Sequence, residues 1–272
     1  MQKTEMRNDH SRGLDKMSTR EMIKVMNSEN YNAVKAVENA TEEIAAAIDV
    51  IATKMANGGR LLYVGAGTSG RLGVLDASEC PPTFGVDNNR VVGIIAGGKD
   101  ALTNSSEGAE DMEAAGIRDV MEAGITPMDA LVGISAAGNA KYVVGALRLA
   151  KEVGAAAIGL TCNKECLLAN VADILIVTDT GSEVLTGSTR LKAGTAHKLV
   201  LNMLSTFTMV KLGYVYDNYM INVRPVNVKL RQRCIRIIQQ LTDCDIEMAE
   251  RVLDETGGSI RKSIQRIQGE EN

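Results

Sequence analysis

What most limits the fold of this chain is a change of period that recurs along it. Short continuous apolar runs lie at 61–64, 91–95, 130–134, 155–160 and 174–177. Runs of this length without polar alternation read as strands covered on both faces. Between them, residues 108–123, 140–153 and 191–212 carry apolar side chains at helical spacing. Upstream, Val34, Val37, Ile44, Ile48 and Ile51 recur every three or four residues over 31–56, and Gly58-Gly59 supplies the stop. Ser18-Thr19-Arg20-Glu21 has the spacing of a capping box before a short helix. Strands alternating with helices predict an α/β fold, a parallel sheet flanked by helices in a three-layer, flavodoxin-like sandwich. With 26 glycines and 3% aromatic residues, the composition suits tight strand-to-helix turns better than a β-sandwich. After Pro225 the strand pattern ends, and three helical segments near 228–241, 245–255 and 259–267 predict a small bundle. The expected division is a helical segment over 1–56, an α/β domain over 57–224 and a helical module over 225–272.

The net charge of −4 is spread without long runs of one sign, so no basic patch for nucleic acid is expected. Five cysteines, Cys80, Cys162, Cys166, Cys234 and Cys244, are odd in number and scattered, which argues against a disulfide framework. His10 and His197 are the only histidines, so no zinc site is expected. The first fifteen residues are polar and charged rather than signal-like. No apolar run reaches the roughly 20 residues of a membrane span. The reading is a reduced, cytoplasmic protein.

Gly65-Ala66-Gly67-Thr68-Ser69-Gly70-Arg71 follows the first strand directly and opens a helix. Glycines let the backbone approach a ligand, and the helix start offers free N–H groups at a positive dipole end. Gly67, Thr68, Ser69, Gly70 and Arg71 are therefore candidates for holding an anion, with phosphate favoured. The spacing also fits the dinucleotide fingerprint, but that motif expects an acid at the end of the second strand, where Ala96-Gly97-Gly98-Lys99 stands instead. A turn without a ligand would not need so polar a Thr-Ser-Gly-Arg run.

Two acidic positions follow. Glu79 precedes Cys80-Pro81-Pro82 near the end of the helix that the loop begins. Taken alone it reads as a solvated glutamate, although its weakly polar neighbours would suit a general acid. Glu110 lies in the cluster Glu107-Gly108-Ala109-Glu110-Asp111 after the second strand. Acidic residues favour first helical turns, but loops after parallel strands converge on the edge where ligands bind. Two carboxylates beside a bound sugar phosphate could act as acid and base.

The run from Tyr63 to Thr83 resembles, nearly residue for residue, the signature of the N-acetylmuramic acid 6-phosphate etherases, enzymes of the sugar isomerase (SIS) fold. Glu107–Asp111, Thr186–Ala196, the stretch 199–206 and the N-terminal Thr4-Glu5-Met6-Arg7-Asn8, with Leu14-Asp15 and Ser18-Thr19, are similar to that family too. The resemblance implies a SIS-type core, a homodimer with the site near the subunit interface, a small-molecule sugar phosphate as substrate and no cofactor. It implies that Glu79 protonates the departing ether oxygen and Glu110 removes the C2 proton, and that Ser135, Gly138, Asn139, Ser188, Thr189 and Lys192 join the glycine loop in binding. The C-terminal segment is similar to the family's ubiquitin-associated-like module.

One loop departs from the family. Where Ala-Ala-Ser-Gly, then Arg or Asn, then Thr-Pro-Tyr is usual, this chain has Ser135-Ala136-Ala137-Gly138-Asn139-Ala140-Lys141-Tyr142. Two hydroxyls are lost at Ala137 and Ala140. Two neutral hydrogen bonds are worth about 1–3 kcal/mol together, so retained activity with a raised KM is the expectation. His197 stands where glutamine is common and reads as a structural hydrogen-bonder. Rival readings are a sugar-phosphate sensor without turnover, an aldose–ketose isomerase and a nicotinamide-dependent oxidoreductase.

Overall fold

The computed structural model describes residues 2–223, 225 and 227–269. The expected domain spans also include residues 1, 224, 226 and 270–272, which lie outside the described residues. The chain forms two compact units, one of Met1–Ser78 with Asn89–Thr208, the other of Glu79–Asn88 with Met209–Asn272. The expected boundary at Pro225 falls inside the second.

The first unit opens with three short 3-10 turns over residues 3–16, then α1 (Thr19–Glu38) and α2 (Thr41–Ala56). The capping box forms as the spacing predicts: Ser18 Oγ accepts from the Glu21 amide, and the Glu21 carboxylate accepts from Ser18 N–H at 2.8 Å. Five parallel strands follow in the order β2-β1-β3-β4-β5. They are β1 (Leu61–Gly65), β2 (Val91–Ile95), β3 (Ala130–Ile134), β4 (Ala156–Thr161) and β5 (Ile174–Val177). The connecting helices are α3 (Gly67–Phe84), α4 (Glu113–Glu122) and α5 (Lys141–Val153), with α6 (Lys192–Lys211) after β5. All five residues of β1 and of β3 are buried, which accounts for their unbroken apolar runs. Leu62, Val64, Leu131, Val143, Leu147 and Val120 share one core cluster between the sheet and helices α4 and α5.

The strand order reverses at β1, because β2 lies on one side of it and β3 on the other. Such a switch point opens a crevice beyond the carboxyl ends of the strands. It is flanked here by the starts of α3, after β1, and α5, after β3. Helix α3 can lie close to the sheet because Gly93 offers no side chain: a Cβ there would sit 2.5 Å from Val74 Cα.

In the second unit, α7 (Val228–Thr242), α8 (Ile246–Glu255) and α9 (Ile260–Gln268) bury Cys234, Ile235, Ile238, Leu253 and Ile264 among themselves. Asn227, Asp245 and Ser259 each cap the helix that follows through a side-chain oxygen. A two-stranded ribbon, β6 (Val215–Tyr216) with β7 (Tyr219–Met220), precedes them.

Candidate active site

At the switch point the first unit encloses a cavity of about 400 Å³. Its lining comes from three places. The glycine loop contributes Ala66, Gly67, Thr68 and Ser69; the loop after β3 contributes Ser135, Ala136, Ala137, Asn139 and Ala140; Thr189, Gly194 and His197 come from the start of α6 and the loop before it. Glu110 and Asp111 stand on its rim.

Local chemistry explains the shape. Gly67 has φ +53° and Gly138 φ +76°, a left-handed conformation that glycine adopts without the Cβ penalty. A side chain at Gly138 would also meet Cys166 Sγ at 2.5 Å. Ser135, 7% exposed, accepts from the Gly138 amide through its Oγ at 3.1 Å, which leaves its hydroxyl hydrogen free to donate. Asn139 Oδ1 accepts from Leu167 N at 3.0 Å. The N-terminal ends of α3 and α5 therefore both open on this cavity, and their first-turn amides lack intrahelical acceptors. Two helix starts with hydroxyls from Thr68, Ser69, Ser135 and Thr189 make an anion cradle.

The cavity thus gathers Gly67, Thr68, Ser69, Glu110, Ser135, Asn139 and Thr189 from the residues expected of a site. Gly70, Arg71, Gly138, Ser188, Lys192 and Glu79 are not among its lining residues. Gly70 packs against β1, where a Cβ would meet Gly65 O at 2.6 Å. Arg71 spends its guanidinium on the carbonyls of Leu102 and Asn104, at 3.0 and 2.7 Å. Ser188 donates its amide to Leu185 O at 2.9 Å and precedes the lining residue Thr189. The Lys192 ammonium is buried against Glu29 in an ion pair, so the binding role expected of it is not the one its contacts serve. Glu79 is exposed, late in α3, and belongs to the second compact unit.

His197 is the lining residue that sequence reasoning set aside. It is 1% exposed, and its Nε2 lies 3.5 Å from Cys162 Sγ. Burial depresses its pKa to about 4, so the ring is neutral at physiological pH. The Cys162 thiol is pushed up to about 11, chiefly by burial, and stays protonated. Its place on α6 one turn after Lys192 was readable, but its inward direction depends on how α6 packs.

Comparison with known proteins gives concordant results. The glucokinase regulatory protein N-terminal SIS domain matches residues 43–151, and the SIS domain matches 99–206. A protein of Caldanaerobacter subterraneus subsp. tengcongensis called N-acetylmuramic acid 6-phosphate etherase is 51% identical over 98% of this chain and 87% of its own. One of the same name from Serratia proteamaculans is 48% identical over 97% of this chain and 89% of its own. Among solved structures, the phosphoheptose isomerase of Neisseria gonorrhoeae aligns with a TM-score of 0.52 at 21% identity, covering 70% of this chain and 98% of that one. A phosphoheptose isomerase from Francisella tularensis aligns with a TM-score of 0.52 at 20% identity, covering 72% of this chain and 100% of that one. These two likenesses speak to the fold alone.

Proposed function

The chain belongs to the N-acetylmuramic acid 6-phosphate etherase family, and we propose that it cleaves the D-lactyl ether of that sugar phosphate with Glu110 as base and Glu79 as acid. The products are N-acetylglucosamine 6-phosphate and D-lactate. The observation that carries the site assignment is the cavity that two helix starts and Glu110 share.

The chemistry needs a base and an acid at defined atoms. In the open-chain sugar the C2 hydrogen is α to the C1 aldehyde, which delocalises the charge left by its removal. Glu110 takes that proton, the C2–C3 double bond forms, and the C3–O bond breaks. Glu79 gives a proton to the departing oxygen, which leaves as lactate. Water then adds to C3 and a proton returns to C2. The phosphate, remote from C2 and C3, is held in the cradle of Thr68, Ser69, Ser135 and the loop amides, so that binding energy places the reacting carbons. The chain works in the cytoplasm as a homodimer with the site near the subunit interface. An exposed, uncharged stripe of α1 that holds Ile23, Met26, Tyr31 and Val34 supports the dimer. Among the described residues no helix is long and apolar enough to cross a membrane.

The test is release of D-lactate from N-acetylmuramic acid 6-phosphate by the purified chain. Glu79→Gln and Glu110→Gln should each lower kcat by at least about a hundredfold, the usual weight of one positioned proton transfer. Binding without lactate would replace the etherase by a sensor, and full activity in either variant would remove that glutamate from the mechanism.

A further inference from the structure

The loop at 135–140 offers a single hydroxyl, that of Ser135, so an anion in the cavity meets there backbone N–H groups, Ser135 and the Asn139 side chain. Among the described residues the amides of Ala136, Ala137, Asn139 and Ala140 have no protein acceptor. The loop's carbonyls, by contrast, are heavily used. Ala136 O accepts from Cys162 N at 3.0 Å, Asn163 Nδ2 at 3.1 Å and Thr161 Oγ1 at 3.2 Å. Ala137 O accepts from Gln2 Nε2 at 3.0 Å and from Asn163 Nδ2 at 3.4 Å. The same Asn163 amide reaches Thr4 Oγ1 at 3.4 Å. Thr4 and Asn163 are 1% and 7% exposed, so this network is shielded from water.

A trans peptide is planar, and its C=O and N–H point in opposite directions. Pinning the Ala136 carbonyl to residues 161–163 therefore turns the Ala137 N–H the other way. Pinning the Ala137 carbonyl to Gln2 and Asn163 likewise fixes the Gly138 N–H, which donates to Ser135 O and Oγ. The N-terminal segment is anchored further along. Lys3 pairs with Asp179 at 2.5 Å, and Asn8 Nδ2 donates to Ser182 O at 2.9 Å and Glu29 Oε2 at 2.7 Å. His10 Nδ1 lies 2.7 Å from Glu29 Oε1.

We propose that residues 2–10 and Asn163 form a positioning strap for the phosphate loop, holding the carbonyls of Ala136 and Ala137 back so that the Ala137 N–H faces the bound phosphate and the Gly138 N–H holds Ser135 in place. Gln2, Thr4 and Asn163 are the positioning residues, and none of them is among the residues that line the cavity. The N-terminal motif around Thr4 and Asn8, which the etherase chemistry itself leaves unused, is assigned a task by this reading. The inference rests on the proposed function for the identity of the ligand, not for the geometry of the strap.

The experiment compares the parent chain with Gln2→Ala, Thr4→Val, Thr4→Ser and Asn163→Leu. Calorimetry with inorganic phosphate gives Kd, lactate release gives KM and kcat, and thermal unfolding checks the fold. Thr4→Val and Asn163→Leu should weaken phosphate binding and raise KM about tenfold while kcat stays within about threefold, because loop hydrogen bonds of roughly 1.4 kcal/mol are at stake. Gln2→Ala should act in the same direction more weakly, and Thr4→Ser should match the parent. Folded variants whose Kd and KM stay within twofold of the parent overturn the strap. So does a fall in kcat at constant KM. Should Asn163→Leu not fold, Gln2→Ala and the Thr4 pair decide. A parent that binds phosphate but releases no lactate sinks the etherase reading and leaves the Kd series to judge the strap; a parent that does neither sinks both.

Discussion

His197 and Glu29 are buried ionisable groups that make the fold sensitive to acid in two different windows. His197 is held neutral, with its pKa lowered from 6.5 to about 4 by burial. Above pH 6.5 neither state carries the proton and the group has no effect. Below it the unfolded chain gains a proton that the fold refuses, so stability falls until about pH 4, by on the order of 3 kcal/mol in all. For Glu29 burial works upward, but hydrogen bonds from His10, Lys192 and Asn8 outweigh it and hold the carboxyl at about 2. Its contribution is complete above pH 4.5 and is lost as pH falls toward 2. Asp76 and Glu183, both raised mainly by burial, act in the opposite sense, so the difference between parent and variant is the useful measure. His197→Gln should flatten the upper window: urea unfolding at pH 7 and pH 4.5 should show a smaller loss in the variant. Equal losses would mean that His197 takes up its proton in the fold.

The Glu29–Lys192 pair belongs to the same scale. Both side chains are almost fully buried, and Glu183 accepts the Lys192 and Ala193 amides beneath them. Lys192→Met leaves a buried carboxylate without its cation, a loss of about 3–5 kcal/mol by analogy with other broken buried pairs. Adding Glu29→Leu should restore much of it, and additive losses in chemical denaturation would show that the pair is not coupled. Lys192 also shows where sequence reading stops. Its neighbours Thr189 and Gly194 line the cavity, but its ammonium meets a residue 163 positions away, and no local pattern announces such a pairing.

At the scale of elements the chain was largely legible, since each strand of the main sheet is a continuous apolar run and the helices between the strands carry apolar residues at helical spacing. The departures have local causes. The short helix expected after Ser18 and the first part of the 31–56 pattern are one helix, α1, and the break falls instead at Asn39 and Ala40, where no glycine or proline marks the end. Pro81 and Pro82 do not end α3, which runs to Phe84; the helix continues past them without the two bonds that their missing N–H groups would have made to the carbonyls four residues back. The ribbon of β6 and β7 turns at Asp217, whose φ of +50° sequence pattern did not flag. Close packing of α3 on β2 gives a prediction here. Gly93→Ala places a methyl 2.5 Å from the Val74 backbone, which cannot rotate away as a side-chain tip would. The cost should be about 1–3 kcal/mol, read as a lower melting temperature. Because α3 carries Thr68 and Ser69, KM should rise as well. Unchanged melting would mean that the helix has room to recede.

At the scale of the whole molecule, the cradle and Glu110 lie in one compact unit and Glu79 in the other, a division that the sequence pairing of the two carboxylates as acid and base did not foresee. The proposed dimer is tested on α1. Its buried face holds Glu29, Ala33, Ala36 and Val37, as an amphipathic helix on a core requires. Its other face exposes Ile23 at 56%, Tyr31 at 69% and Val34 at 56%, with only uncharged Asn27 and Asn30 between. Contiguous apolar surface of this kind marks an interaction site, and in a homodimer it would be covered by a second copy. Sedimentation should find the parent as a dimer. Ile23→Glu with Val34→Glu, four like charges once two copies meet, should shift it to monomer without unfolding the sheet, since neither side chain is buried. Lactate release should fall with dissociation on the proposal that the site lies near the interface, and should recover as protein concentration rises. A variant that stays dimeric would move the interface off α1; a monomer that turns over at the parental rate would show each chain to be complete by itself.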